Sequence, residues 1–128
     1  MVRFEERTGL VLPDDLKAYF LSINGWDQWD HYNTEFFSLA QFKTVQDEVG
    51  NFGGIPDYRD IVKTLPEHIN CYVFADHFTL SAVYAIRLYP YISDVNEVYV
   101  IHGSDYKLVA NSFNEYIHKY VNEETYPF

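Results

Sequence analysis

The sequence predicts one α+β domain covering residues 1–128, an antiparallel sheet with helices packed mainly on one of its faces. Three observations carry that expectation. Punctuated amphipathic helical segments stand near both ends of the chain, at residues 12–24 and 112–121. From Asn70 onward the apolar spacing changes to four short runs of β-branched and aromatic residues separated by turn residues. The alternating strand and helix rhythm of a parallel sheet is missing, so the order helix, helix, four strands, helix fits an antiparallel arrangement.

The first helix is expected to open at Pro13, whose missing N–H costs nothing at the first helical position. Asp14 and Asp15 complement the positive end of its dipole. Leu12, Leu16, Tyr19, Phe20 and Ile23 form its apolar face, and Asn24-Gly25 marks its end. An acidic, aromatic connection follows over residues 26–35, with Thr34 to Phe37 suited to a short strand. Ser38 and Gln41 form a capping-box pattern for a second helix whose inner face is Leu39, Phe42, Val45 and Val49, ended by Gly50 and Gly53-Gly54. Residues 52–67 read as a loop over the sheet edge, with Ile61, Val62 and Leu65 as an apolar patch.

The four strands are expected at Cys71 to Ala75, Ser81 to Leu88, Glu97 to His102 and Tyr106 to Val109. Their turns fall at Asp76-His77, at Tyr89 to Asn96 and at Gly103-Ser104-Asp105, the last short enough for a hairpin. Ser112 and Glu115 then form a capping box for the closing helix, which turns Phe113, Tyr116, Ile117, Tyr120 and Val121 inward.

The chain has 128 residues, 48% of them hydrophobic and 19% aromatic, enough to bury a core without staples. Its single cysteine, Cys71, sits in an apolar run and reads as a buried thiol, which suits a reducing compartment. No apolar stretch approaches the roughly 20 residues of a membrane span. The N-terminal stretch lacks the pattern of a secretory leader, so a cytoplasmic protein is expected. The net charge of −10 repels phosphate backbones and anionic lipid, which disfavours direct nucleic-acid and membrane binding. It gives solubility, or attraction to a basic protein partner.

Catalytic and metal signatures are missing. The five histidines show no His-x-x-x-His pairing and there is no Cys-x-x-Cys. Asp76-His77 reads as a turn, because neighbours in a strand point to opposite faces. Gly50 to Gly54 lacks the basic residue and following helix of a phosphate loop. Ser112 is a cap, and Asp27 with Asp30 or Asp57 with Asp60 read as solvated carboxylates. No catalytic residue, cofactor or metal is therefore assigned. Among the aromatics, Phe20, Phe42, Tyr84 and Phe113 fall on inner faces and Trp26 reads as a core plug. Trp29, Tyr32 and Tyr58 lie in loops beside carboxylates, where core cover and partner anchor are both open readings.

Leu12-Pro13-x-x-Leu16-x-x-Tyr19-Phe20 followed by Asn24-Gly25-Trp26 resembles the opening helix of the SUKH superfamily, which includes the fungal cell-wall assembly regulator and many bacterial immunity proteins. Cys71 to Asp76 with Val83 to Ile86 resembles that family's central hairpin. Val109-Ala110-Asn111-Ser112-Phe113-x-x-Tyr116-Ile117 resembles its closing helix. The stretch before Leu12 is short by comparison, so the family's first helix is expected to be truncated or missing.

The resemblance implies a twisted antiparallel sheet with flanking helices, no enzyme activity, and direct binding to a toxin domain, often a nuclease. On that reading a basic toxin domain is the expected partner, with Trp29, Asp30, Tyr32, Glu35, Asp57, Tyr58 and Asp60 as the expected contact residues. A regulatory or scaffold module is the alternative, and an unrecognised hydrolase a third.

Overall fold

A computed structural model describes residues 2–22, 34–50, 58, 60–65, 68–77, 82–103 and 105–121. Its first element shows that the family's first helix, expected to be truncated or missing, is present, because Val2–Thr8 forms the seven-residue helix α1. Gly9 ends it at φ 72° while its N–H donates to the Glu5 carbonyl at 2.9 Å. Glycine adopts that left-handed stop without a Cβ penalty. Helix α2 (Asp14–Ser22) opens as expected, with Lys17 N–H donating to the Pro13 carbonyl at 2.9 Å and with Leu16, Tyr19 and Phe20 buried. Its expected end at Asn24-Gly25 lies outside the described residues.

The expected second helix is split. Strand β1 (Thr34–Phe36) leads into a 3₁₀ turn at Leu39–Gln41, strand β2 (Lys43–Thr44) and helix α3 (Val45–Val49). Gln41 Oε1 does accept the Ser38 N–H at 2.9 Å. Phe42 is nevertheless extended, at φ −73° and ψ 110°, and Thr44 opens α3 by accepting the Asp47 N–H at 3.1 Å. The cause lies in the packing. Phe42 joins one core while Val45 and Val49 join another, so one continuous helix face would have served neither. A short helical turn, α4 (Ile61–Thr64), stands within the expected loop.

Strands β3 (Cys71–His77), β4 (Ala82–Arg87), β5 (Val98–His102) and β6 (Asp105–Ala110) follow the sequence expectation within about two residues. They form an antiparallel sheet in the order β1-β3-β4-β5-β6, and β2 also pairs with β3. The edge beside β3 is thus built from two short pieces, β1 against Ala75 to His77 and β2 against Tyr72 and Val73. Gly103, at φ 61°, turns β5 into β6.

Helix α5 (Phe113–Val121) closes the fold, with Glu115 N–H donating to Ser112 Oγ at 3.0 Å. The three longer helices, α1, α2 and α5, cover one face of the sheet. There Phe4, Phe20, Phe42 and Tyr72 pack with ring centroids 5.1 to 5.5 Å apart, and Phe74, Tyr84, Phe113 and Tyr116 form a second aromatic group. Much of the aromatic surplus is therefore core. The opposite face is covered by α3, Tyr58, Ile61 and Leu65 over Cys71, Val73, Val83, Ala85, Tyr99 and Ile101.

Asp15 joins the two ends of the first face. One carboxylate oxygen accepts the Leu16 N–H at 2.8 Å, and the other accepts the Asn114 N–H at 2.9 Å, near the start of α5. Helix N-termini leave such donors without intrahelical partners. Asp15→Ala is expected to destabilise the chain by about 0.5–2 kcal/mol, the range for losing a capping carboxylate. Urea unfolding of the two proteins measures it.

Candidate functional site

Two regions at opposite ends of the sheet hold surface chemistry. The first is acidic and depends on an irregularity in β3. Val73 pairs with Ala85 but Ala75 pairs with Tyr84, so Phe74 is an extra residue, a β-bulge. Phe74 and Ala75 consequently both join the first core, and the alternation resumes one residue out of step. Asp76 is thereby turned to the opposite face, directly across from Glu35 in β1.

Burial pushes the Asp76 carboxyl up to about 6, and the negative charges of Glu35 and Glu48 push it in the same direction. Its Oδ1 is buried without a hydrogen-bond partner. Glu48 is balanced by Lys43 at 3.3 Å, and Glu35 accepts from Gln41 Nε2 at 3.5 Å. Tyr58 packs beneath this group, and burial raises its phenol well above the usual range.

Of the contact residues expected from sequence, Trp29, Asp30, Tyr32 and Asp57 lie outside the described residues. Glu35 is half-buried at this acidic end. Asp60 is exposed and pairs with Lys63 at 3.4 Å. Tyr58 is corrected: it is 0% exposed and belongs to the core of the second face, so its ring is unavailable to a partner. Asp76 escaped the sequence reading, which placed it in a turn, because only the bulge puts it beside Glu35.

The second region is the connection from Tyr89 to Glu97. Val11 N–H donates to the Tyr89 carbonyl at 2.7 Å, and the Tyr89 hydroxyl donates to Glu97 Oε1 at 2.6 Å. The Arg87 guanidinium lies over the Tyr89 ring at 4.7 Å. Burial and the hydrogen bond to Glu97 push the Tyr89 phenol up to about 12. Asn96, 5% exposed, fastens the far end through its N–H to the Asn111 carbonyl at 2.9 Å and its Nδ2 to the Arg87 carbonyl at 3.1 Å. Between this loop and the start of α2 runs an open groove of about 340 Å³.

Among the described residues, no group of three or more His, Cys, Asp or Glu side chains is placed to hold a metal ion. Nor, among them, is any helix long and apolar enough to cross a membrane. Cys71 is fully buried, in keeping with its apolar sequence context.

An antiparallel open sheet with helices on both faces, displaying carboxylates at one end and a braced loop at the other, defines a small α+β module. The model of the SMI1 / KNR4 family (SUKH-1) matches residues 1–119, and the chain belongs to that family. No curated protein and no solved structure matches it significantly. Membership supports an immunity or regulatory binding module, and members of the family are in general non-catalytic.

Two outcomes follow for the acidic end. Asp76 holds its proton more tightly in the folded chain than in the unfolded one. Its ionised carboxylate therefore opposes folding, fully so above about pH 6, and the penalty fades as pH falls from about 6 toward 3.8, below which both states are protonated. Asp76→Asn is expected to raise the urea midpoint at neutral and higher pH, with the gain shrinking through that window. Tyr58→Ala is expected to cost about 3–5 kcal/mol of stability, as large-to-small changes in a core do, measured by urea unfolding. A loss near zero would return Tyr58 to the surface.

Proposed function

We propose that this protein is an immunity-type module that neutralises a cognate toxin domain by direct binding in the cytoplasm. Family membership carries the proposal. The net charge of −10 supports a basic partner, and nuclease domains, which must approach phosphate, fit that description. Asp30, Glu35, Asp57 and Asp60 steer encounter, a long-range effect that acts mainly on the association rate. Trp29 and Tyr32 supply aromatic contact.

The test is capture on the immobilised wild-type chain at low salt, followed by identification, separate expression and assay of the captured protein. A basic toxin domain whose activity is abolished at one-to-one stoichiometry is the expected result. Capture of endogenous wall-synthesis or housekeeping proteins instead would replace the immunity reading with the regulatory one.

Charge reversal at Glu35 and Asp60 together is expected to slow association about tenfold at low ionic strength. The difference should collapse in about 1 M salt, where the screening length falls to ~3 Å. Stopped-flow mixing at two salt concentrations reads both numbers.

A further inference from the structure

The Tyr89–Glu97 connection holds three of the large hydrophobic side chains that the described residues expose. Ile92 is 90% exposed, Tyr91 59% and Val95 42%. An apolar tip in water is ordinarily a cost that a loop avoids by substitution or by collapse onto the core. This loop does neither, because its backbone is held at both ends. The Val11 to Tyr89 bridge, the Arg87 and Tyr89 stack and the buried Asn96 anchor it. Ser93 braces the tip, its Oγ donating to the Val95 carbonyl at 2.7 Å and accepting the Val95 N–H at 3.2 Å. The Tyr89 and Tyr91 rings pack 5.4 Å apart, which directs Tyr91 as well. A rigid loop that presents apolar side chains loses little conformational entropy on association, which is how anchor residues gain affinity.

The surroundings say what kind of partner the loop fits. The groove beside Tyr91 and Ile92 carries the carboxylates of Asp14, Asp15 and Asp94. Among the described residues that line it, the one cation, Lys17, is already paired with Glu5 at 3.5 Å. Asp15 is occupied with the two helix starts, while Asp14 and Asp94 are exposed. An apolar tip beside free carboxylates complements an apolar pocket edged by Lys or Arg. Side chains that stand out from the surface suit a protein partner, whereas small ligands take enclosed concavities.

We propose that the Tyr91-Ile92 tip, with Val95 beside it, is a preformed docking anchor for a basic protein, seating in an apolar pocket whose cationic rim meets Asp14 and Asp94. The proposal rests on the reading of the chain as a binding module and adds where and how it binds. The loop lies at the Arg87 end of the sheet, and Asp76 with Glu35 lies at the other, about 17 Å away along β3 at ~3.3 Å per residue. The two regions can therefore be tested separately.

The experiment uses the full chain and the purified basic protein recovered by low-salt capture, with affinity measured by calorimetry. Ile92→Asp and Tyr91→Ala are compared with the Glu35→Lys, Asp60→Lys double variant. Both loop side chains are largely solvated, so unchanged melting temperatures are expected. Ile92→Asp should weaken binding about 30-fold or more and Tyr91→Ala about tenfold, the range of anchor residues. Binding by both loop variants within twofold of wild type overturns the anchor and leaves the binding-module reading standing. A wild-type chain that binds no basic protein overturns both. Sedimentation that shows self-association of the wild type, abolished by Ile92→Asp, makes a second copy of this chain the occupant and overturns the basic-protein assignment.

Discussion

Strand β3 is the constraint on which the rest of the structure depends. It is paired on both sides, with β4 along one edge and the two short pieces β1 and β2 along the other. Residues Cys71 to Ala75 are buried, and they divide between the two cores. A strand buried on both faces has no solvent side to absorb an error in register, since a slip of one residue exchanges the faces. The bulge at Phe74 makes that exchange once, deliberately placed, and every side chain after it answers to the new phase. Phe74 and Ala75 complete the aromatic core, and Asp76 emerges beside Glu35 instead of entering that core.

This placement explains why the acidic end has its character. A carboxylate introduced across from another carboxylate, with one oxygen buried, would ordinarily be removed by mutation because stability rises without it. Its place is set by the register of β3, since the bulge at Phe74 turns it toward Glu35 and away from the aromatic core. The same contrast between cost and position recurs at the other end of the sheet, where exposed apolar side chains stand on a braced loop.

How much of this was legible in the sequence differs element by element. The strands from Cys71 onward were readable because their β-branched and aromatic runs are short and flanked by turn residues. Helices α2 and α5 were readable from Pro13, Asp14 and Ser112, which mark their starts. Helix α1 escaped because VRFEERT is polar apart from Val2 and Phe4, and its one clear signal is the stop at Gly9. The split after Ser38 was hidden because Leu39, Phe42, Val45 and Val49 fit helical spacing, while their destinations on opposite faces are a tertiary fact. The burial of Tyr58 and the pairing of Asp76 with Glu35 depend on packing and register, which periodicity does not report. Tyr91 and Ile92 did carry a signal: an apolar pair in a turn is unusual, and the sequence reading passed over it.

The bond from Asp15 to Asn114 spans 99 residues of sequence, and it sets the order in which the molecule can be completed during synthesis. Strands β3 to β6 meet their neighbours soon after they emerge, but the aromatic face waits for Phe113 and Tyr116. Until α5 leaves the ribosome, Phe74 and Tyr84 lack the rings that cover them. Long-range closure of this kind slows folding and leaves hydrophobic surface open in the interim. A nascent chain of this protein thus keeps the outer side of its aromatic face open until its final helix arrives.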